Sequence, residues 1–217
     1  MSSPTLRALI FDYDGLIVDS ERLQADVFID VMASAGATVA IDEIAHLFGT
    51  TEADAHWDAL IAERCDLTTA EVIGLMTPLI RAGHETLPLL PGVQEVLDHA
   101  RDLGCKVGLA TGQDLERLPS RLRRLAIHEH FDAIVTAEEV ARGKPFPDIY
   151  LEAARRLGVD PEDCVALEDS VPGCEAALAA GMRVIACPSS VTAGCAFPAD
   201  ARRITTLLEL LDAEGGI

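Results

Sequence analysis

The sequence predicts an α/β protein, a Rossmann-like parallel sheet with an all-helical segment inserted after its first strand. Three features carry that reading. From about residue 93 onward, short apolar runs alternate with segments of helical period, a rhythm that right-handed crossovers turn into parallel strands covered on both faces. Near the start stands an isolated apolar run, Leu9-Ile10-Phe11; a lone strand cannot satisfy its own edge groups, so it joins the same sheet. Between Asp19 and His84 no strand signal occurs. The chain therefore divides into a core of residues 1–16 and 87–217 and a helical unit of residues 17–86.

Taken in order, the first strand runs into Asp12-Tyr13-Asp14-Gly15 and stops there, because glycine permits the positive-φ turn that releases a chain from a strand. From Asp19 to Ala35 the apolar residues Leu23, Val27, Val31 and Ala35 recur every four positions, which reads as an amphipathic helix that Gly36 ends. Three more helical pieces follow over 43–48, 53–64 and 69–84. The last is opened by Thr68 or Thr69 as N-cap, with Glu71 in its first turn. A proline-bracketed linker from Leu87 to Gly92 leads into a helix over 93–103 that Gly104 stops. Then come a strand at 106–111, a helix at 115–126, a strand at 133–136 and a helix at 148–157 ended by Gly158. A strand at 164–168, a helix at 174–180 ended by Gly181 and a strand at 183–186 complete the series. Asp148 is placed to cap its helix, a structural role.

At 217 residues, 49% of them hydrophobic, the chain has ample material for a packed core and does not read as disordered. Its formal net charge of -19 sets the surface potential against nucleic acid and anionic membranes, so neither is an expected partner. An anionic substrate then needs a local positive device, a metal ion or a placed lysine. No charged segment leads into a long apolar run near the start, so neither a signal peptide nor a transmembrane helix is expected, and the protein is expected in the cytoplasm. The six cysteines lack a C-x-x-C spacing and are expected reduced and buried as small apolar residues. The histidines, the close pair His128 and His130 included, lack a metal spacing. Nothing in the sequence sets an oligomeric state, which leaves the monomer as the default.

Chemistry-bearing residues gather where the strands end. Asp12 and Asp14 follow the first strand, Thr111 and Gly112 close the next, and Glu168, Asp169 and Ser170 close the strand at 164–168. Between them lies Gly143-Lys144-Pro145-Phe146-Pro147, a loop that two prolines stiffen beyond its lysine. Open α/β sheets bind ligands at the carboxyl ends of their strands. Each group alone has a plainer reading, as an acidic turn, a strand-end threonine or a solvated lysine; their shared edge makes them a candidate site. Four carboxylates at one mouth repel one another, by roughly 4 kcal/mol for a pair about 4 Å apart at a near-surface effective dielectric. They imply shared protons or a hard cation, and oxygen-only ligation favours Mg2+. Thr111 and Lys144 supply donors for a tetrahedral oxyanion. A carboxylate nucleophile, a hydroxyl, a lysine and an acid-held divalent ion suit phosphoryl transfer. Two rival signatures fail: an EF-hand loop starting at Asp12 needs glycine where Ile17 stands, and Gly143-Lys144 is followed by proline, not the Ser or Thr of a P-loop.

DYDGLIVDSE (12–21), the apolar run into Thr111, GKPFPDIY (143–150) and LEDSVPGCEAALAAGM (167–182) together resemble the haloacid dehalogenase (HAD) superfamily of phosphohydrolases, in motif order and spacing over nearly the whole chain. More narrowly, they resemble the branch with a helical cap between its first and second motifs, which includes β-phosphoglucomutase and many sugar-phosphate phosphatases. The resemblance implies a HAD-fold core with an inserted α-helical cap domain. It implies that Asp12 is the nucleophile that forms an aspartyl-phosphate, and that Asp14 protonates the leaving oxygen and then activates water as a base. Thr111 and the Gly112 amide would bind the transferring phosphoryl group, while Lys144 neutralises it and positions Asp12. Magnesium would be held by Asp12, the Asp14 backbone carbonyl and Asp169, with Glu168 a further ligand, directly or through water; Ser170 would support this loop by hydrogen bonding. The cap would close over the site and choose the leaving group.

Details separate the branches. Dehalogenase members lack the second acid of the first motif and phosphonate-cleaving members replace it, whereas Asp14 is present here. Gln24 stands where mutase-like members carry histidine, and Gly49-Thr50-Thr51-Glu52 offers no arginine to grip a second phosphate. Arg81 and His84 read as solvated helix residues within reach of a substrate. The expectation is a Mg2+-dependent phosphatase of a small phosphomonoester, a sugar or related metabolite phosphate. A β-phosphoglucomutase-like phosphomutase is the alternative. A non-catalytic phosphate-binding regulator is the reading from a different class, and the intact motif set argues against it.

Overall fold

The computed structural model describes residues 6–44, 47 and 53–212. Six parallel strands form one sheet: β1 (Ala8–Phe11), β2 (Lys106–Thr111), β3 (Ala133–Thr136), β4 (Cys164–Glu168), β5 (Arg183–Ala186) and β6 (Arg202–Arg203), in the spatial order β3-β2-β1-β4-β5-β6. The first strand in sequence is thus an inner strand, with β2 on one side and β4 on the other. The strand order reverses around it, where open α/β sheets place their ligands.

Strand alternation distributes the core. Leu9 and Phe11, Val107 and Leu109, and Val165 and Leu167 point to one face, where α5 (Val93–Asp102) and α6 (Leu118–Arg124) cover them with Val96, Leu97 and Leu122. Ala8, Ile10, Ala110 and Ala166 point to the other, against α7 (Asp148–Leu157) and α8 (Val171–Ala179). Small residues on this second face let the helices come close; a Cβ at Gly108 would lie 3.1 Å from Leu157 Cδ1. Each fully buried Leu or Ile contributes roughly 1.5–3 kcal/mol relative to exposure. The α/β class and the Rossmann-like parallel sheet expected from the sequence are both present.

Between β1 and β2 lie α1 (Ser20–Ser34), α2 (Ile41–Ile44), α3 (Ala53–Arg64) and α4 (Thr69–His84). They share an apolar cluster of Ala25, Phe28, Met32, Ile44, Ile61 and Val72, which Val191 from the segment after β5 joins. Thr68 caps α4 with a capping box: its side chain accepts from the Glu71 amide while Glu71 accepts from Thr68 N at 2.8 Å. Leu23 meets Gly83, where a Cβ would lie 2.5 Å from Leu23 Cδ1, so α1 and α4 run antiparallel and nearly touch there.

Several expectations need adjusting. Of the four-residue series on α1 only Val31 is buried; the covered face is Ala25, Phe28, Val31 and Met32, because steps of four residues drift around a helix of 3.6 residues per turn. The helix expected at 43–48 is α2, which ends at Ile44; the rest of that stretch, Leu47 excepted, and Gly49-Thr50-Thr51-Glu52 lie outside the described residues. α6 is shorter than expected because Asp114 accepts from the Glu116 amide at 2.7 Å, an Asx turn that delays the helix. α8 begins three residues earlier, since Ser170 caps it by accepting from Gly173 N at 3.2 Å and Pro172 suits a first turn. Asp148 is not a cap. Pro147 holds the cap position and Asp148 is the first helical residue, paired with Arg142 at 2.9 Å.

The six cysteines are free, as expected, but only Cys164 and Cys174 are buried, the others being half-buried. Among the described residues no helix is long and apolar enough to cross a membrane.

Candidate active site

Register builds the centre of the site. Phe11 pairs with Leu167, so the next residue on each strand, Asp12 and Glu168, leave the sheet side by side, and Asp12 N still donates to Leu167 O at 3.0 Å. Both carboxyls are buried. Lys144 reaches them from the loop before α7: its Nζ donates to Asp12 Oδ1 and, at 2.6 Å, to Glu168 Oε1. Glu168 Oε1 also accepts from the Tyr150 hydroxyl at 2.6 Å, and Oε2 accepts from Asp169 N, Ser170 N and Ser170 Oγ at 3.1, 3.2 and 2.9 Å. Gly173 makes room for this: a Cβ there would overlap the Glu168 carboxylate at 1.9 Å.

Asp169 turns its side chain to the other side, toward Gly15 and Glu21. Gly15, at φ +74°, could carry no Cβ, which would sit 2.0 Å from Asp169 Oδ2 and 3.1 Å from Glu21 Oε2. Glu21 is itself buried and accepts from Ser189 Oγ at 2.9 Å. Asp169 O accepts from Thr192 Oγ1 at 2.6 Å, which ties this turn to the segment after β5. No donor reaches Asp169 Oδ2, so a hydrogen bond between it and Glu21 requires a proton on one of the two carboxyls.

Burial and crowding set the proton affinities. Burial above all raises Asp12 well beyond the ordinary carboxylate range; Lys144 opposes the rise, and the charges of Glu168 and Asp14 add to it. Burial raises Asp169 likewise, with Glu21 the strongest neighbouring charge. Glu21 is pushed up to about 7, mainly by burial. Burial alone would lower Lys144, but the Asp12 and Glu168 charges outweigh it and hold the ammonium charged.

Asp12, Glu168 and Asp169 each present an oxygen within 4.8 Å of the others. An excess of buried carboxylates over Lys144, hard oxygen donors throughout and an orphaned Asp169 Oδ2 fit a divalent cation such as magnesium, whose charge would oppose the raised proton affinities of Asp12 and Asp169. The Asp14 carboxylate is not in that group. It is half-buried, gripped on both oxygens by Gln113 Nε2 at 2.7 Å and on Oδ1 by Ser20 Oγ. Gln113 is in turn held by Arg121.

Thr111 is buried and its hydroxyl oxygen accepts from Gln113 N at 3.0 Å, which leaves the hydroxyl proton available for donation, while Gly112 is open to solvent. Lys144, Asp12, Glu168 and Asp169 therefore converge, Thr111 and Asp14 are joined through Gln113, and Gly112 is exposed beside Thr111. Sequence reasoning missed Tyr150, Glu21, Gln113 and Ser189; of these, only Tyr150 and Glu21 carried a signal, as polar groups within the singled-out stretches 143–150 and 12–21. His84, read as solvated, is buried. Arg124 clasps its carbonyl at 3.0 Å, and burial, helped by Arg121, lowers its proton affinity. Arg81 is exposed, as expected.

The parallel sheet thus brings a lysine-held buried aspartate and a second acid pair together at its central carboxyl edge. The profile of the haloacid dehalogenase-like hydrolases matches residues 6–181. The chain belongs to that family and is a phosphoric monoester hydrolase. It is 38% identical over 202 residues to hexitol phosphatase B of Escherichia coli (strain K12), covering 87% of each chain. It is 34% identical over 185 residues to the β-phosphoglucomutase of Bacillus subtilis (strain 168), covering 82% of this chain and 81% of that one. Its fold is similar to that of a CbbY variant from Rhodobacter sphaeroides solved with xylulose-1,5-bisphosphate, at a TM-score of 0.79 and 30% identity over 97% of this chain and 99% of that one.

Proposed function

We propose that the protein is a magnesium-dependent phosphatase of a small phosphomonoester, a sugar or related metabolite phosphate, working through an aspartyl-phosphate. The observation that carries this reading is the Lys144 grip on Asp12 Oδ1, which orients a buried carboxylate while its Oδ2 makes no hydrogen bond among the described residues. That free oxygen attacks phosphorus, and the bond from phosphorus to the leaving oxygen breaks. Asp14 gives its proton to that oxygen, then takes one from the water that attacks the aspartyl-phosphate; phosphate leaves and Asp12 is regenerated. Thr111 Oγ1, the Gly112 amide and Lys144 bind the phosphoryl oxygens.

Asp12, the Asp14 backbone carbonyl and Asp169 would hold the magnesium ion, with Glu168 acting through water, since its oxygens already take five donors. Neutralisation of charge on the phosphoryl oxygens is what the bound ion supplies. Residues 17–86 act as a cap that closes over the core of 1–16 and 87–217; the apolar cluster of this segment, which takes in Val191 alone of the core's buried residues, supports this division. The free cysteines suit a reducing, cytoplasmic setting.

The substrate class rests on relatives named for hexitol phosphate and crystallised with a ketose bisphosphate. A phosphomutase activity is the second reading, favoured by the likeness to a β-phosphoglucomutase and disfavoured by Gln24 in place of histidine. Phosphate release from a sugar-phosphate panel, with and without magnesium, tests the choice. Release is expected only with magnesium, and Asp12→Asn should lower it by on the order of 10³-fold or more. Isomerised product without free phosphate would overturn the phosphatase reading.

A further inference from the structure

An apolar cavity of about 510 Å³ opens between α1, α3 and α4. Its walls are Phe28, Ile61, Val72 and Met76, with Trp57 edge-on to Phe28 at 4.7 Å and Ile73 at the mouth. The volume falls within the roughly 300–1,000 Å³ of small-molecule sites. Its position ties it to the chemistry. Ser20, Gln24 and Phe28 are spaced four residues apart and so share one side of α1. Ser20 touches the Asp14 carboxylate; Gln24 lies about 6 Å farther along the helix and Phe28 about 12 Å. Gln24 and Phe28 both line the cavity. The Gln24 carboxamide makes no hydrogen bond among the described residues, so it is free to meet a ligand. At the far end Thr69 donates to Asp58 and closes the rim.

We infer that this cavity takes the distal end of the substrate. The organic part of the phosphomonoester carries a short polar segment, met by Gln24, and ends in an apolar group of about ring size, held between Phe28, Trp57 and Met76. The inference rests on the phosphatase reading, because it assumes that the leaving group extends from Asp14 along α1. Within the sugar and related metabolite phosphates proposed above, this favours one with an apolar end over a fully hydroxylated chain, which would leave those walls unmatched.

Trp57 is the single tryptophan of the chain, so its fluorescence reports entry. Wild-type protein with magnesium is titrated with a non-hydrolysable phenylalkyl phosphonate and with butyl phosphonate, and phosphate release is measured for phenylbutyl and butyl phosphate. The expected result is a shift of Trp57 emission with the phenyl compound alone and a kcat/KM at least about tenfold higher for its ester. Ile73→Phe, at a half-exposed position (56% exposed) of the cavity wall, should remove most of that gain. Ile73→Ala should retain the gain. Unchanged emission with equal kcat/KM for the two esters would overturn the inference while leaving the phosphatase reading intact. An emission shift without phosphate release from any ester would uphold the apolar site and overturn the phosphatase reading.

Discussion

Lys144 binds two buried carboxylates at once, and its removal would leave both Asp12 and Glu168 without their cation. Breaking a buried pair from one side costs roughly 3–5 kcal/mol, whereas surface pairs are worth about 1 kcal/mol or less. Lys144→Ala should therefore lower unfolding stability by about 3–5 kcal/mol in denaturant titrations; a loss below about 1 kcal/mol would assign it the weight of a surface lysine. Glu21 sets a pH response of its own. Its pKa is about 7 in the fold against an ordinary 4.5, so the folded state holds the proton more tightly. That stability is fully present below about pH 4.5 and is lost as pH rises through about 7. Asp12 and Asp169 are raised as well and act in the same direction. In chelator, melting temperature should fall across this window, and Glu21→Gln should flatten the fall. Equal slopes in the two proteins would refute the assignment.

At the scale of elements, the turn from β4 into α8 does the most with the fewest residues. Glu168 ends the strand, its side chain folds back over the Asp169 and Ser170 amides, and Ser170 caps the helix that follows. Gly173 must lack a side chain, since its Cβ would lie 1.9 Å from Glu168 Oε1. Gly173→Ala should push Glu168 out of its donors and cost on the order of 2 kcal/mol or more, together with most of the activity. Unchanged melting and turnover would show that the turn relaxes freely. Strands β2 to β5 were legible in the sequence because each is a bounded apolar run. The first turn of α8 was not, because Val171-Pro172-Gly173 reads as loop until Ser170 is seen capping it. β6 was not legible either: Arg202 and Arg203 carry no apolar pattern and gain strand geometry only by pairing with β5.

Over the whole molecule, the residues legible from sequence are, Lys144 in its proline-stiffened loop apart, those at or next to strand ends that one register gathers. Asp12, Thr111 and Glu168 sit at strand ends, and a parallel sheet brings strand ends to one edge. Glu21, Gln113 and Ser189 escaped because they arrive from loops and a helix start, across separations such as the 168 residues between Glu21 and Ser189, which no local period encodes. The same global view sets the electrostatics of substrate capture. A formal charge of -19 surrounds a site that has to receive a phosphate dianion, so the long-range field opposes encounter even though Lys144 attracts at contact. Salt shrinks the Debye length from about 30 Å at 0.01 M to about 8 Å at 0.15 M, which screens the distant acids far more than the buried pair. At saturating magnesium, kcat/KM for an anionic phosphomonoester should therefore rise severalfold over that range while kcat stays constant. A decline in kcat/KM would mean that an attractive potential at the mouth, rather than the net charge, governs association.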